Sequence, residues 1–247
     1  MKSDFRYGKL SFNWQLGLGL ILLFGIPRFL VVLEANRTGS YGLTSIVFLL
    51  MILTPFLILT KQGRKSMELT HPSSTFLLLL SFMFGIALCA LIFWLGETLY
   101  GDTLSNWFVY ISESYGALPS DQLSGESKWT FFLVFAAIGI TFSPFGEEFL
   151  YRGLIHRCFT DRLGENGASM VDSPAFALVH LAHFGLISIN GELTLLLIPA
   201  LLWVILMYMA GRLFYICRKK TGSVFGAVIS HVGFNLAMTW LIFYFIL

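Results

Sequence analysis

The sequence predicts an all-α, polytopic transmembrane helix bundle of about seven spans. Of its 247 residues, 56% are hydrophobic and only 12% are charged, against about 25% charged in an ordinary globular domain. Mean hydropathy is +0.77. The apolar residues also fall into runs of about 20, the length of helix that crosses a ~30 Å hydrocarbon core. A water-soluble fold of this size exposes more surface than these polar residues can cover. The surroundings expected are therefore a lipid bilayer. The net charge of +2, with basic residues scattered between apolar runs, offers no surface for nucleic acid.

The apolar runs lie near residues 12–33, 42–60, 75–96, 129–150, 170–190, 193–213 and 222–246. The first follows a basic start, as a signal peptide would. Its stretch from Phe12 to Leu33 is too long for one, however, and no small-x-small site follows, so it reads as an uncleaved first span. In the fourth run Pro144 and Gly146 interrupt the pattern, and Glu147 and Glu148 follow at once. Residues 97–128, with Gly101, Gly116, Pro119 and Gly125, read as a loop containing some amphipathic helix. Cys89, Cys158 and Cys217 are odd in number and lack metal-type spacing, so they read as small apolar fillers.

The basic residues set the orientation. With the N-terminus in the cytoplasm, the inner segments hold Lys2, Arg6, Lys9, Lys61, Arg64, Lys65, Arg152, Arg157, Arg162, Arg212, Arg218, Lys219 and Lys220, thirteen of the 16. The outer segments hold Arg37 and Lys128, and Arg28 sits within the first span. The acidic loop with Glu97, Asp102, Glu113, Asp121 and Glu126 then lies outside. This asymmetry follows the positive-inside rule and predicts an N-in, C-out protein of the cell inner or plasma membrane.

Ionisable groups inside apolar spans cost about 2.5–3.5 kcal/mol each on insertion scales, so they mark function or an internal partner. Three clusters stand out. In SPFGEEFLYRG, Glu148 and Arg152 are four apart and share a helix face, while Glu147 is turned by about 100° from Glu148 and points elsewhere. In FALVHLAH, Phe176, His180 and His183 fall at i, i+4 and i+7. His183 lies near the helix end, where a packing or lipid-interface histidine is the plainer reading, whereas His180 lies deeper. In SHVGFN, His231 and Asn235 are four apart on one face of the last span. A bundle would bury these faces against one another, because lipid cannot satisfy them. Gathered round a wet cavity, they are suited to activating water. Glu147 would be the general base, and His180 would orient the water or share its proton. His231 and Asn235 would donate to the oxyanion. The Glu148–Arg152 pair would hold Glu147 in place. No Ser–His–Asp or Cys–His set competes with this arrangement.

The ordered motifs EExxxR (Glu147, Glu148, Arg152), FxxxH (Phe176, His180) and HxxxN (His231, Asn235) resemble those of the CAAX-protease and bacteriocin-processing (Abi/CPBP) family of intramembrane endopeptidases. The resemblance covers roughly residues 129–247. It implies a catalytic core there, with 1–128 supplying further spans and the extracytoplasmic loop, all in one integrated bundle. It also implies hydrolysis, on the cytoplasmic side, of prenylated CAAX-type proteins, other membrane proteins or leader peptides. By the same resemblance Glu147 and His180 activate water, and His231 and Asn235 form the oxyanion hole. A zinc-dependent variant would use Glu147, His180 and His231 as ligands, and His183 in an HxxH with His180 adds to that case. The H-E-x-x-H helix of zinc proteases is absent, which favours water activation without a metal. The competing class is a non-enzymatic transporter or scaffold. A transporter would be expected to show inverted repeats or paired broken helices, and neither is visible.

Overall fold

The computed structural model describes residues 3–8, 10–40, 42–115, 125–189 and 191–247. The chain is an all-α bundle with one small hairpin. Helix α1 (Trp14–Thr38) starts where the Asn13 side chain accepts the Leu16 N–H at 2.9 Å, a standard cap for an otherwise orphaned donor. It ends at Gly39 in the left-handed conformation. Then come α2 (Gly42–Ile58), the short α3 (Lys61–Ser66), α4 (Thr75–Tyr100) and α5 (Trp107–Ser112). Helix α6 (Gly125–Glu148) runs directly into a π-helical turn, Phe149–Ile155, and on into α7 (His156–Val179). A 3-10 turn, His180–Ala182, leads to the antiparallel hairpin β1 (Leu186–Ile189) and β2 (Glu192–Leu195). Helices α8 (Leu197–Thr221) and α9 (Val224–Leu241) complete the bundle.

Five helical stretches are long and apolar enough to cross a membrane: Trp14–Thr38, Thr75–Tyr100, Ser127–Ala182, Leu197–Thr221 and Val224–Ile246. The protein is thus an integral membrane protein. Two of the seven expected runs, 129–150 and 170–190, both fall within the stretch Ser127–Ala182, which is not one straight helix: Gly164 (φ 69, ψ 173) breaks α7, so one helix ends and another begins between the two runs. The run at 42–60 forms α2, whose 17 residues reach only about 25 Å at 1.5 Å per residue.

Other boundaries differ for identifiable reasons. The run at 170–190 stops being helical after Ala182, because Gly185 (φ 109) and Gly191 (φ 85) allow the turns of a hairpin. Its apolar strand cannot be told from buried helix by periodicity. The run at 193–213 accordingly begins as a helix only at Leu197 and continues to Thr221. Pro144 and Gly146 do not break α6. Gly146 instead lets α2 approach, since a Cβ there would lie 2.8 Å from the Phe48 carbonyl oxygen. Within 97–128 the structure shows α5 and a 3-10 turn at Glu113–Tyr115. Residues 116–124, with Gly116, Pro119 and Asp121, lie outside the described residues, as do Lys2 and Lys9.

Helix α9 occupies the centre, packed on α4, α6 and α8, while α7 lies between α8 and α1. In lipid, helices associate chiefly by close packing and hydrogen bonds, which favours small residues at the seam. On α4, Ser81, Gly85 and Cys89 recur every four residues on the buried face. A Cβ at Gly85 would overlap the Ser230 carbonyl, and one at Gly233 the Phe82 carbonyl. Backbone cannot rotate out of the way as a side chain can. Gly85→Ala is therefore expected to lower stability by about 1–3 kcal/mol, read as a lower thermal unfolding midpoint in detergent. Gly19→Ala, where nothing lies within 4 Å, serves as the neutral control. Equal midpoints for the two variants would contradict the seam.

Candidate active site

The end of α6 carries two carboxylates that diverge. Successive helical residues are about 100° apart, so Glu147 faces α1 and α7 while Glu148 faces α9 and the π-helical turn. Both are fully buried. Glu147 Oε1 accepts from Ser143 Oγ at 2.7 Å and from Arg28 Nη2 at 2.9 Å. Its Oε2 has no hydrogen-bond partner among the described residues and lies 3.8 Å from His180 Nε2.

His180 is oriented by its own helix. Its Nδ1 lies 2.6 Å from the Phe176 carbonyl oxygen. A carbonyl only accepts, so Nδ1 carries the proton and Nε2 keeps its lone pair. That lone pair meets Arg28 Nη2 at 3.4 Å, and His183 Nε2 meets the same nitrogen at 3.5 Å. Arg28 therefore draws the acid and both histidines together. The sequence marks it only as the polar exception of the first three spans. The signal was present, because an arginine inside an apolar span needs a partner. Its partner, however, is 119 residues away. His183 faces this cluster and not a lipid interface. His183 also lines a cavity together with Asn36, Tyr110, Glu113 and Ser188.

The second carboxylate organises a neighbouring layer. Glu148 Oε1 accepts from Arg152 Nη1 at 3.2 Å and from His231 Nδ1 at 2.8 Å. Arg152 Nε also stands 3.7 Å from Asp172 Oδ1. Its guanidinium lies 4.2 Å from the Phe176 ring centroid, within the range of cation–π attraction. Phe176 touches both layers, with its centroid 4.3 Å from the His180 ring and 5.9 Å from that of His231. Phe214 stacks on His231 at 4.7 Å. Asp172, four residues before Phe176 and so on the same helix face, is a further buried member that the sequence reading passes over, as is Ser143, one turn before Glu147.

The structure thus brings Glu147 to His180, and His231 to Glu148 and Arg152. Asn235 is half-buried and donates through Nδ2 to the Gly139 carbonyl at 2.9 Å, tying α9 to α6. Among the described residues no three His, Cys, Asp or Glu side chains are grouped to hold a metal ion. Glu147, His180 and His231 do not fit zinc as they stand. The Arg28 guanidinium lies against the first two, where a second cation would be repelled, and His231 is turned to Glu148.

Residues 128–237 match the family model described as type II CAAX prenyl endopeptidase Rce1-like. This segment is an Rce1-like domain. It contains Glu147, Glu148, Arg152, Phe176, His180, His231 and Asn235, the residues on which the sequence resembles the CAAX-protease family. Arg28 reaches the Rce1-like domain from outside the matched segment. No curated protein and no solved structure matches the chain.

Removing one partner of a buried ion pair strands the other charge, which costs about 3–5 kcal/mol. Arg152 stands between Glu148 and Asp172, so Arg152→Met strands two buried carboxylates and is expected to lower the unfolding midpoint sharply, while Arg152→Met with Glu148→Gln and Asp172→Asn recovers much of the loss. A triple variant as unstable as the single one would contradict the pairing.

Proposed function

We propose that the protein is an intramembrane endopeptidase. It hydrolyses peptide bonds of prenylated CAAX-type proteins, of other membrane-associated proteins or of leader peptides. Its N-terminus lies in the cytoplasm and its membrane is the inner or plasma membrane. The catalytic core is 129–247, and 1–128 packs against it and supplies Arg28. The observation that carries this reading is the asymmetry of Glu147. One carboxylate oxygen is held by two donors, while the other is buried, without a hydrogen-bond partner among the described residues, and beside the His180 imidazole.

In this reading a water bridges Glu147 Oε2 and His180 Nε2. Glu147 takes one water proton as the oxygen attacks the peptide carbonyl carbon. The free Oε2, facing His180 Nε2 at 3.8 Å, has the placement that general-base work requires. The water–carbon bond forms, and the carbonyl oxygen becomes an oxyanion. Glu147 then passes its proton to the amide nitrogen, and the C–N bond breaks. The remaining hydroxyl proton moves to the released amine as the carboxylate forms, so Glu147 returns to its starting state.

His231 and Asn235 act as oxyanion donors. With Nδ1–H given to Glu148, His231 donates through Nε2 when its ring is protonated, and Glu148 is then its counter-ion. Asn235 uses one amide N–H on Gly139 and retains the other. The Glu148–Arg152 pair holds this layer in register, and Phe176 spaces the two imidazoles. The mechanism needs no metal.

Glu147→Gln keeps the volume and the hydrogen bond from Ser143 but cannot accept a proton. Cleavage of a quenched fluorescent peptide ending in farnesyl-cysteine, two aliphatic residues and a variable residue, presented in proteoliposomes, is expected to fall about 10²–10⁴-fold. Uncut precursors are expected to accumulate in membranes carrying the variant. Wild-type cleavage by folded Glu147→Gln protein would refute the assigned base.

A further inference from the structure

The geometry points to Arg28 as a further donor, beside His231 and Asn235, to the oxygen of the peptide carbonyl under attack, and as the group that then holds the carboxylate that cleavage creates. This rests on the proteolytic reading above and adds to it a binding subsite for a carbonyl or carboxylate oxygen, supplied by the first helix.

Arg28 is 1% exposed. Of its three nitrogens only Nη2 has partners, and Nε and Nη1 have none among the described residues. A guanidinium carries five N–H groups, so three of them face the buried interior unmet. A residue serving only to neutralise Glu147 would be expected to turn its fork onto both carboxylate oxygens, the bidentate arrangement that carboxylate pairs favour. Here one nitrogen holds Oε1 alone, and Oε2 stays available for water. The Phe48 ring lies 5.5 Å from Arg28 Cζ, and α2 itself is pressed onto α6 at Gly146. The guanidinium is therefore backed by a wall and not free to swing.

Distance identifies what the spare donors take. Arg28 lies one hydrogen bond from the carboxylate that deprotonates the water. Only atoms within a bond or two of the attacked carbon come that close. The C-terminal carboxylate of a substrate cut three residues from its end lies about 10 Å further along an extended chain, at about 3.3 Å per residue. Arg28 therefore does not recognise the chain end. It meets the carbonyl oxygen, whose charge grows from partial to full in the tetrahedral intermediate. After the C–N bond breaks, the same site carries the new carboxylate, with both water protons on the amine. A guanidinium stays charged throughout, unlike the His231 ring, which must be protonated to donate.

The test uses the full chain in proteoliposomes, the farnesylated peptide, and a phosphinic analogue of it whose tetrahedral anion stands in for the intermediate. Arg28→Lys, which retains the charge but not the fork, is expected to lower kcat about 100-fold, the scale of losing one oxyanion donor, with KM within about threefold. A variant with Arg28→Met and Glu147→Gln leaves no unpaired charge, so it keeps the question open to measurement even if single variants misfold. Relative to Glu147→Gln alone, it is expected to bind the phosphinate about 100-fold more weakly and the intact peptide equally well. Equal phosphinate affinity in those two chains, no phosphinate binding to either, or an Arg28→Lys effect confined to KM would overturn the assignment. If Glu147→Gln abolishes cleavage while Arg28→Lys leaves kcat unchanged, the inference about Arg28 fails and the proteolytic reading stands. If Glu147→Gln cleaves normally, the reading itself fails.

Discussion

Hydrocarbon cannot solvate a charge, and the arrangement of this bundle follows from that constraint. Arg28, Glu147, Glu148, Arg152 and Asp172 are all buried, and each would be costly alone in lipid. They are tolerable only because α1, α6, the π-helical turn and α7 bring opposite charges within reach. Such pairs contribute little net stability against apolar replacements of the same shape. Their presence is better explained by chemistry than by folding. The polar interior holds a carboxylate, an imidazole and a guanidinium in contact at a depth where water is scarce.

The geometry at the end of α6 separates two tasks that adjacent acids would otherwise share. Glu147 looks toward α1 and α7, and Glu148 toward α9. The following turn, Phe149–Ile155, is π-helical, a rare form that occurs mostly as single-turn bulges within α-helices and frequently at functional sites. It keeps Arg152 within 3.2 Å of Glu148. Phe176 then spaces His180 from His231 and lies under the Arg152 guanidinium. One acid is left with a free oxygen beside an imidazole. The other is bound up in positioning.

The parts legible in the sequence were those that recur at helical spacing. The Glu148–Arg152 pair and the Phe176–His180 contact are four-residue relations, and the structure shows both. Helices of uninterrupted apolar character were also plain. What escaped were relations made by tertiary packing. Arg28 meets Glu147 across more than a hundred residues, and Asp172 joins Arg152 through the docking of α7 on the π-helical turn. His231 pairs with Glu148 although nothing in SHVGFN names its partner. The hairpin after Ala182 was hidden because Leu186–Ile189 is nearly as apolar as the helix before it, and one positive-φ glycine, Gly185, marks the change, with Gly191 at the hairpin turn. Pro144 and Gly146 suggested a break where the packing of α2 instead uses the glycine for contact.

The central claim is that the first helix docks on α7 so that a buried arginine stands beside Glu147 and His180. In the turn before Arg28, a Cβ at Gly25 would lie 3.4 Å from Val179 Cγ1, and a cysteine sulfur at position 179 can take that Cγ1 place, so the two positions are within reach of a disulfide. The most direct measurement is oxidative coupling in native membranes of Gly25→Cys with Val179→Cys, after Cys89, Cys158 and Cys217 are replaced by Ala. The account predicts rapid coupling for this pair and little for Gly25→Cys with Leu178→Cys, since Leu178 is exposed on another side of α7. Failure of the first pair to couple, or equal coupling of the two, would contradict it.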